Sequence, residues 1–252
     1  MTALCGFMTL GLLQRAQAQV DLVQNGNFTT TNWITPQPAN VATTNGGQLG
    51  YNLNATGWSN VSTGYNFLFT AGSVSSNVVN GNAGSLSLWS TDNGGSNTLT
   101  APPGGGNFLA ADGAYETEPI QQTVTGLTAG KEYLLSFYWA AAQQTGFNGA
   151  TTDFWSASLG GETNSTTTYD LPNHSFSGWM QQTFDFTATN SSEVLSFLAT
   201  GTPNGEPPFS LLADVSMQVA VPEPSQIKMG SLLLLIIACA AIPRIRRNKF
   251  GG

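Results

Sequence analysis

The chain has 252 residues, with seven Lys and Arg against fourteen Asp and Glu, a formal charge of −7 and 29 glycines. Between residues 19 and 218 the imbalance is sharper, one lysine (Lys131) against thirteen acidic residues, a net charge of −12. Such a surface repels phosphate backbones and excludes nucleic acid as a partner.

The elements are taken in chain order. Leu4 to Leu13 is a short apolar stretch, and Ala16-Gln17-Ala18 after it has the A-x-A form of a signal-peptidase site. Residues 1–18 are therefore expected to be a signal peptide. No Lys or Arg precedes the apolar stretch, and Arg15 follows it. Both cysteines, Cys5 and Cys239, lie in apolar terminal segments. The stretch between them can form neither a disulfide nor a thiolate metal site.

Residues 19–218 are enough for one well-cored sandwich. Gly, Asn, Ser and Thr dominate, which favours turns and strands over helices. Leu22 to Phe28 is expected as an opening strand. Residues 35–103 give weak signals, with short strands around 65–69 and 86–89. Ile120 to Val124 is a strand. In Lys131 to Trp139, Tyr133, Leu135, Phe137 and Trp139 share one face at period two. Asp153 to Leu159 is another strand. In Trp179 to Phe186, Met180, Gln182, Phe184 and Phe186 alternate with polar residues. Val194 to Ala199 has the look of a wholly buried strand. Phe209 to Val219 is expected to turn Leu211, Ala213, Val215 and Met217 inward, with Leu212 and Asp214 opposite. Many short strands with turn clusters between them predict an all-β antiparallel sandwich or jelly roll.

The chain closes on Val221-Pro222-Glu223-Pro224, an uninterrupted apolar run from Met229 to Ile242, and a basic end with Arg244, Arg246, Arg247 and Lys249. The prolines stiffen residues 219–228 into an extended, protease-accessible linker. From Lys228 to Arg244 a helix rises ~24 Å, short of a ~30 Å hydrocarbon core. On length alone a buried helix is a rival. The run has no polar face, however, and flanking cations can snorkel to make up the difference. A transmembrane helix over 229–242 is expected, with 243–252 a cytoplasmic tail and the large domain outside.

These three parts, in this order and spacing, closely resemble the PEP-CTERM sorting signal of Gram-negative bacteria. The resemblance covers about the last eighth of the chain. It implies a membrane-embedded, exosortase-type protease as partner, with cleavage near Pro222-Glu223-Pro224. The implied destination is the cell surface or extracellular matrix, reached from an inner-membrane-anchored precursor. A second resemblance spans most of the domain. Leu22-Val23-Gln24-Asn25-Gly26-Asn27-Phe28 with Trp33, the stretch Gly106 to Gly113 and the closing Asp214-Val215 are similar to galactose-binding-like jelly rolls, which include carbohydrate-binding modules. It implies a structural Ca²⁺ between first and last strands, held by Asn25, Asn27 and Asp214. Thr29 stands where the family usually has an acidic residue.

Sites of chemistry are few. Asp112, Glu116 and Glu118 are the densest acidic patch. If residues 114–119 are extended, Glu116 and Glu118 lie ~7 Å apart on one side, close to glycosidase spacing. Neighbouring carboxylates on a solvated loop equally make a charged surface. His174 is the only histidine, and no Gly-x-Ser-x-Gly elbow accompanies it. Phosphate loops and dinucleotide fingerprints are missing. Aromatics are numerous, and flat rings with Asn, Gln and Thr beside them suit sugar. Trp58, Trp89 and Trp155 are the candidate ligand platforms, whereas Trp139 is expected in the core. The expectation is a non-catalytic envelope protein that binds polysaccharide. A purely structural or adhesive protein is the alternative, and a hydrolase a third.

Overall fold

The computed structural model describes residues 19–35, 45–60, 64–74 and 78–220. The expected signal peptide, Val221–Pro224, the apolar run 229–242 and the basic tail lie outside these residues. Among the described residues no helix is long and apolar enough to cross a membrane.

The described strands begin with β1 (Thr31–Trp33), β2 (Gly46–Gln48), β3 (Leu53–Ala55), β4 (Ser59–Asn60), β5 (Asn66–Phe69), β6 (Val79–Gly81) and β7 (Gly84–Leu86). The longer ones follow: β8 (Phe108–Asp112), β9 (Ile120–Thr125), β10 (Glu132–Gln143) and β11 (Thr151–Leu159). The chain then adds β12 (Glu162–Ser165), β13 (Tyr169–Leu171), β14 (Met180–Thr187), β15 (Ser192–Thr202) and β16 (Pro208–Val219). One antiparallel sheet runs β14-β10-β16-β8-β5-β2, and the other runs β12-β11-β15-β9-β4 with β13 beside β11. The fold is the expected all-β antiparallel sandwich.

The two sheets meet through large side chains supplied at period two. Tyr133, Leu135, Phe137 and Trp139 of β10 face Trp155 and Ala157 of β11 and Leu195 and Phe197 of β15 across one buried core. Phe197 is its hub, with ring centroids 5.2 Å from Phe137 and 6.0 Å from Trp155, both edge-on. Edge-on pairs of this kind add roughly 0.5–1.5 kcal/mol beyond their burial. The Trp155 indole also donates to the Leu211 carbonyl at 3.0 Å, tying one sheet to the main chain of the other. In β14, Met180, Phe184 and Phe186 face this core as their alternation requires. The stretch Val194 to Ala199 differs from expectation. Leu195, Phe197 and Ala199 are buried, but Val194 and Leu198 are exposed, so β15 is buried on one face only.

The last strand departs from its predicted pattern for a definite reason. In the pairing of β10 with β16, Ser136 faces Ser216 and Tyr138 faces Ala213. Two residues, Asp214 and Val215, therefore oppose Phe137. This is a β-bulge, with Asp214 at φ 51°. Because side chains alternate with period two, one extra residue exchanges the faces. Leu212, Val215 and Met217 enter the inter-sheet core, while Phe209, Leu211 and Ala213 enter a second one. The predicted common face of Leu211, Ala213, Val215 and Met217 is thus corrected.

The second core lies on the outer face of the first sheet. It joins Phe67, Phe69, Phe108 and Ala110 to Val79, Leu86, Leu88, Leu99 and Phe176 from overlying segments. Strand β8 is consequently buried at every residue, the signature of a strand covered on both faces.

Residues 22–28, expected as a strand, form bends and a turn that dock on β16. Leu22 N donates to Met217 O (2.9 Å), and Val215 N at the bulge donates to Gly26 O (3.0 Å). A Cβ at Gly26 would sit 1.8 Å from the Val215 carbonyl oxygen, so only glycine permits this approach. Gly26→Ala is expected to destabilise the protein by about 2 kcal/mol or more, read as a lower urea midpoint with an unchanged slope.

Candidate functional site

A cleft of about 300 Å³ opens at the end of the sandwich where β8 and β10 finish and β16 starts. It is lined by Tyr65, Asp112, Tyr115, Gln144, Phe147 and Asn204, with Ala83, Ala114, Gly205 and Pro207 completing its wall. The sheet positions its inner part and loops supply the rim. Tyr65 immediately precedes β5, and its carbonyl accepts the Asp112 amide at 3.1 Å. Its ring is buried against Phe67 (centroids 4.7 Å) and Phe209 (6.1 Å). Tyr115 stands edge-on to Tyr65 at 5.5 Å and is 50% exposed. It is the aromatic face that solvent and ligand can reach.

Asp112 ends β8 and organises the next loop. Its Oδ1 accepts the amides of Ala114 (2.8 Å) and Tyr115 (3.0 Å). Tyr65 N, in turn, donates to Glu116 O at 3.0 Å. Gly113 sits between, donating to Pro208 O (2.8 Å) and accepting from Gly201 N (2.9 Å). A Cβ there would meet Gly201 N at 2.4 Å, so the crossing of the sheets at this point needs glycine. Asp112 Oδ2 is buried and has no hydrogen-bond partner.

Burial pushes the Asp112 carboxyl up from 3.8 to about 6, against the two amides that lower it. Behind it Asp153 is wholly buried, bonded by Ser210 Oγ and Thr151 Oγ1 at 3.4 Å each. Burial raises Asp153 well above its ordinary value, the hydroxyls lower it, and the nearby Asp112 raises it further. Burial, followed by Asp112, pushes the Tyr65 phenol up to about 12, so it stays a hydrogen-bond donor.

A second aromatic feature adjoins the cleft. Trp89 and His174 lie with ring centroids 4.0 Å apart and 32° between planes. The Trp89 indole donates to the Phe147 carbonyl (3.3 Å), and His174 Nε2 meets Asn148 Oδ1 (2.8 Å). Phe147 lines the cleft, so one loop supports both features.

Of the three predicted platforms, only half-buried Trp89 is at the surface. Trp155 is 0% exposed and belongs to the inter-sheet core. Trp58 is also buried, packed on Phe28 (5.3 Å) and Phe197 (6.2 Å), with its indole bonded to Asn25 O. Both are corrected from ligand platform to core. The extended geometry assumed for Glu116 and Glu118 is absent as well. Residues 113–116 form bends, with Glu116 at φ 44°, so the two do not share one side of a strand.

Asn25, Asn27 and Asp214 do come together, with Asp21, around a shallow hollow at the bulge. Their oxygens receive neighbouring donors: Asn25 Oδ1 from Thr30 N (3.0 Å), Asn27 Oδ1 from Thr29 Oγ1 (3.0 Å) and Asp214 Oδ2 from Gly104 N (2.8 Å). Among the described residues no three His, Cys, Asp or Glu side chains group as a metal site. The hollow is lined by carboxylate and amide oxygens, the donor type that Ca²⁺ takes, at the place where the resemblance expects that ion.

Sequence reasoning named Asp112 in an acidic patch, and missed Gln144, Phe147 and Asn204. These three sit on two loops remote in sequence, and no local pattern marks them.

No protein-family model matches the chain. Nor does any curated protein. Similar solved structures include TmCBM61 in complex with β-1,4-galactotriose, at 10% identity and TM-score 0.40, covering 80% of this chain and 99% of that one. Another is the N-terminal cellulose-binding domain of a β-1,4-glucanase C from Cellulomonas fimi, at 16% identity and TM-score 0.29, covering 46% and 80%. A third is the K3 adhesin domain of Lys-gingipain from Porphyromonas gingivalis, at 12% identity and TM-score 0.35, covering 64% and 89%.

The buried carboxyls make stability depend on pH in a direction that can be worked out. Well below 3.8, its ordinary value, Asp112 is largely neutral in both folded and unfolded chains. From there to about pH 6 the unfolded chain releases its proton first, so stability falls as pH rises. Above that the full penalty stands, about 3 kcal/mol for a shift from 3.8 to about 6. Asp153 acts in the same sense. Burial raises Glu193, but the Thr189 hydroxyl and the Thr189 and Asn190 amides outweigh it and hold its carboxyl below its ordinary value, so it contributes in the opposite sense. The urea midpoint is expected to fall between pH 5 and pH 8, and Asp112→Asn to reduce that fall.

Proposed function

We propose that the protein is an exported cell-envelope or extracellular-matrix component whose sandwich is a non-catalytic binding domain for polysaccharide. The carrying observation is the cleft itself. It sets the exposed Tyr115 ring and the apolar faces of Tyr65, Phe147 and Pro207 against the amide side chains of Gln144 and Asn204. A pyranose ring has apolar faces and a rim of hydroxyls, so stacking with amide hydrogen bonds is the chemistry that holds it. The half-buried Trp89–His174 pair extends the same surface beyond Phe147, which favours a chain of sugars over a single one. Export and sorting rest on the terminal segments: the Ala16-Gln17-Ala18 site, Val221 to Pro224, the apolar run and the arginines. In this proposal an exosortase-type protease is the processing partner, and the membrane holds only the precursor.

Two experiments test the two halves. In affinity electrophoresis and on a glycan array, Tyr115→Ala is expected to weaken polysaccharide binding at least about tenfold while leaving the melting temperature nearly unchanged. Uniform lack of binding by the unaltered protein would reject the binding half. Replacing Pro222, Glu223 and Pro224 by alanine is expected to leave an uncleaved, membrane-retained form on fractionation, and normal release of that variant would reject the sorting half.

A further inference from the structure

The geometry points to a charge preference in the cleft: it takes a polysaccharide bearing free amino groups, and rejects one bearing carboxylates. The inference rests on the polysaccharide reading above and names the substrate class of that same site. Three observations carry it.

First, Asp112 lines the cleft with one oxygen committed and the other unused. Oδ1 holds the loop through the Ala114 and Tyr115 amides. Oδ2, on a side chain 2% exposed, has no partner. A buried acceptor left unpaired is costly, more so when charged. The ligand group that best relieves it is a cationic donor, since a charge-assisted bond is about twice as strong as a neutral one. Beside the cleft, Glu206 Oε2 is a second buried oxygen without a partner. It stands between Gly205 and Pro207, both of which line the wall.

Second, the surrounding charge has one sign. The titratable groups about Asp112 are Tyr65 before β5, Tyr115 and Glu116 on its own loop, Asp153 on β11 and Glu206 before β16. None of them is cationic; the histidine His174 lies off the cleft wall, stacked on Trp89 and bonded to Asn148 Oδ1. Lys131 is the only Lys or Arg among the described residues, and it lies next to Glu132, the start of β10. The cleft residue Gln144 follows Gln143 at the other end of that strand. Twelve residues of strand at ~3.3 Å each separate the lysine from the cleft by ~40 Å, several Debye lengths at physiological salt. A uronate or sulfate would enter a cleft whose lining supplies no cation, whereas an ammonium is drawn in.

Third, Tyr65 and Tyr115 meet edge-on beside Asp112, so the exposed Tyr115 ring adds a face that attracts cations as well as sugar rings. Gln144 and Asn204 leave room for hydroxyl recognition on the same ligand. This combination fits an amino sugar better than a lysine side chain, which has no hydroxyls to offer them.

The test is isothermal titration calorimetry of the full chain at pH 6.5 and low salt. The probes are a glucosamine hexamer, its fully N-acetylated counterpart, a galacturonate hexamer and a lysine hexapeptide. The glucosamine hexamer is expected to bind roughly 10- to 100-fold more tightly than the N-acetylated one, and the galacturonate not at all. Its affinity should be bell-shaped in pH, falling below about 6 as Asp112 gains a proton and at high pH as the amine loses one, while any N-acetylated binding stays flat. Asp112→Asn keeps an acceptor for the two amides and should abolish the preference. The pH profile of the unaltered protein answers the question even if that variant misfolds. Equal binding of the two hexamers, binding of galacturonate, or a preference that survives in Asp112→Asn overturns the inference. Equal binding of the lysine hexapeptide replaces it with peptide recognition. Tyr115-dependent binding of neutral glycans without amine preference removes this inference alone, whereas failure of every glycan removes the polysaccharide reading too.

Discussion

The arrangement of the whole sandwich turns on the bulge at Asp214 and Val215. A strand of strict alternation gives one face to a core and one to water. By opposing two residues to Phe137, β16 changes which face is which halfway along its length. Below the bulge Val215 and Met217 fill the inter-sheet core, and above it Leu212 takes over that role. Phe209, Leu211 and Ala213 are thereby turned outward as an apolar surface. That surface recruits the 79–99 and 174–179 segments as its cover, and these same segments carry Trp89 and His174. The bulge is held from three directions: by the Gly104 amide on Asp214, by Gly26 accepting from Val215, and by β10 alongside.

How legible this was in the sequence follows from where each signal is stored. The alternation in Tyr133 to Trp139 and in Met180 to Phe186 is local, so period two placed those residues on the correct face. Leu195, Phe197 and Ala199 were legible as core, but Val194 and Leu198 are apolar too and hid the alternation. A bulge inserts a residue without any change of composition, so Asp214-Val215 announced nothing by itself. The tryptophans misled for a different reason. Trp58 follows Gly57 in a polar stretch and resembles an exposed loop residue, yet its ring fills the gap between Phe28 and Phe197. The cleft was the least legible feature. Asp112, Gln144 and Asn204 become neighbours only because β8, β16 and β10 lie side by side, bringing their connections to one end.

That end also concentrates what the fold would be more stable without. Asp112 and Asp153 are two buried carboxyls near each other, each raised by burial. An amide or apolar side chain would avoid most of that cost. Glu116 and His174 have positive φ angles at this end, and Asn25, Phe28 and Asp214 have them at the bulge, so backbone strain of the kind that gathers at functional sites is shared between the two places. A site whose parts are locally unfavourable but jointly ordered is the pattern expected where stability yields to binding.

The same strand that creates the cleft also sets it at one end of the sandwich. β16 begins with Pro208 beside the cleft and ends with Val219, where Tyr133 is its partner. The first described segment joins that far end as well, through Leu22 and Met217. Val219 is therefore separated from the cleft by the length of a twelve-residue strand, ~40 Å at ~3.3 Å per residue. Lys131 sits at that far end too. Charge is thus divided along the sandwich: among the described residues the one Lys lies at the far end of β10, and the carboxylate oxygen without a partner lies at the cleft end.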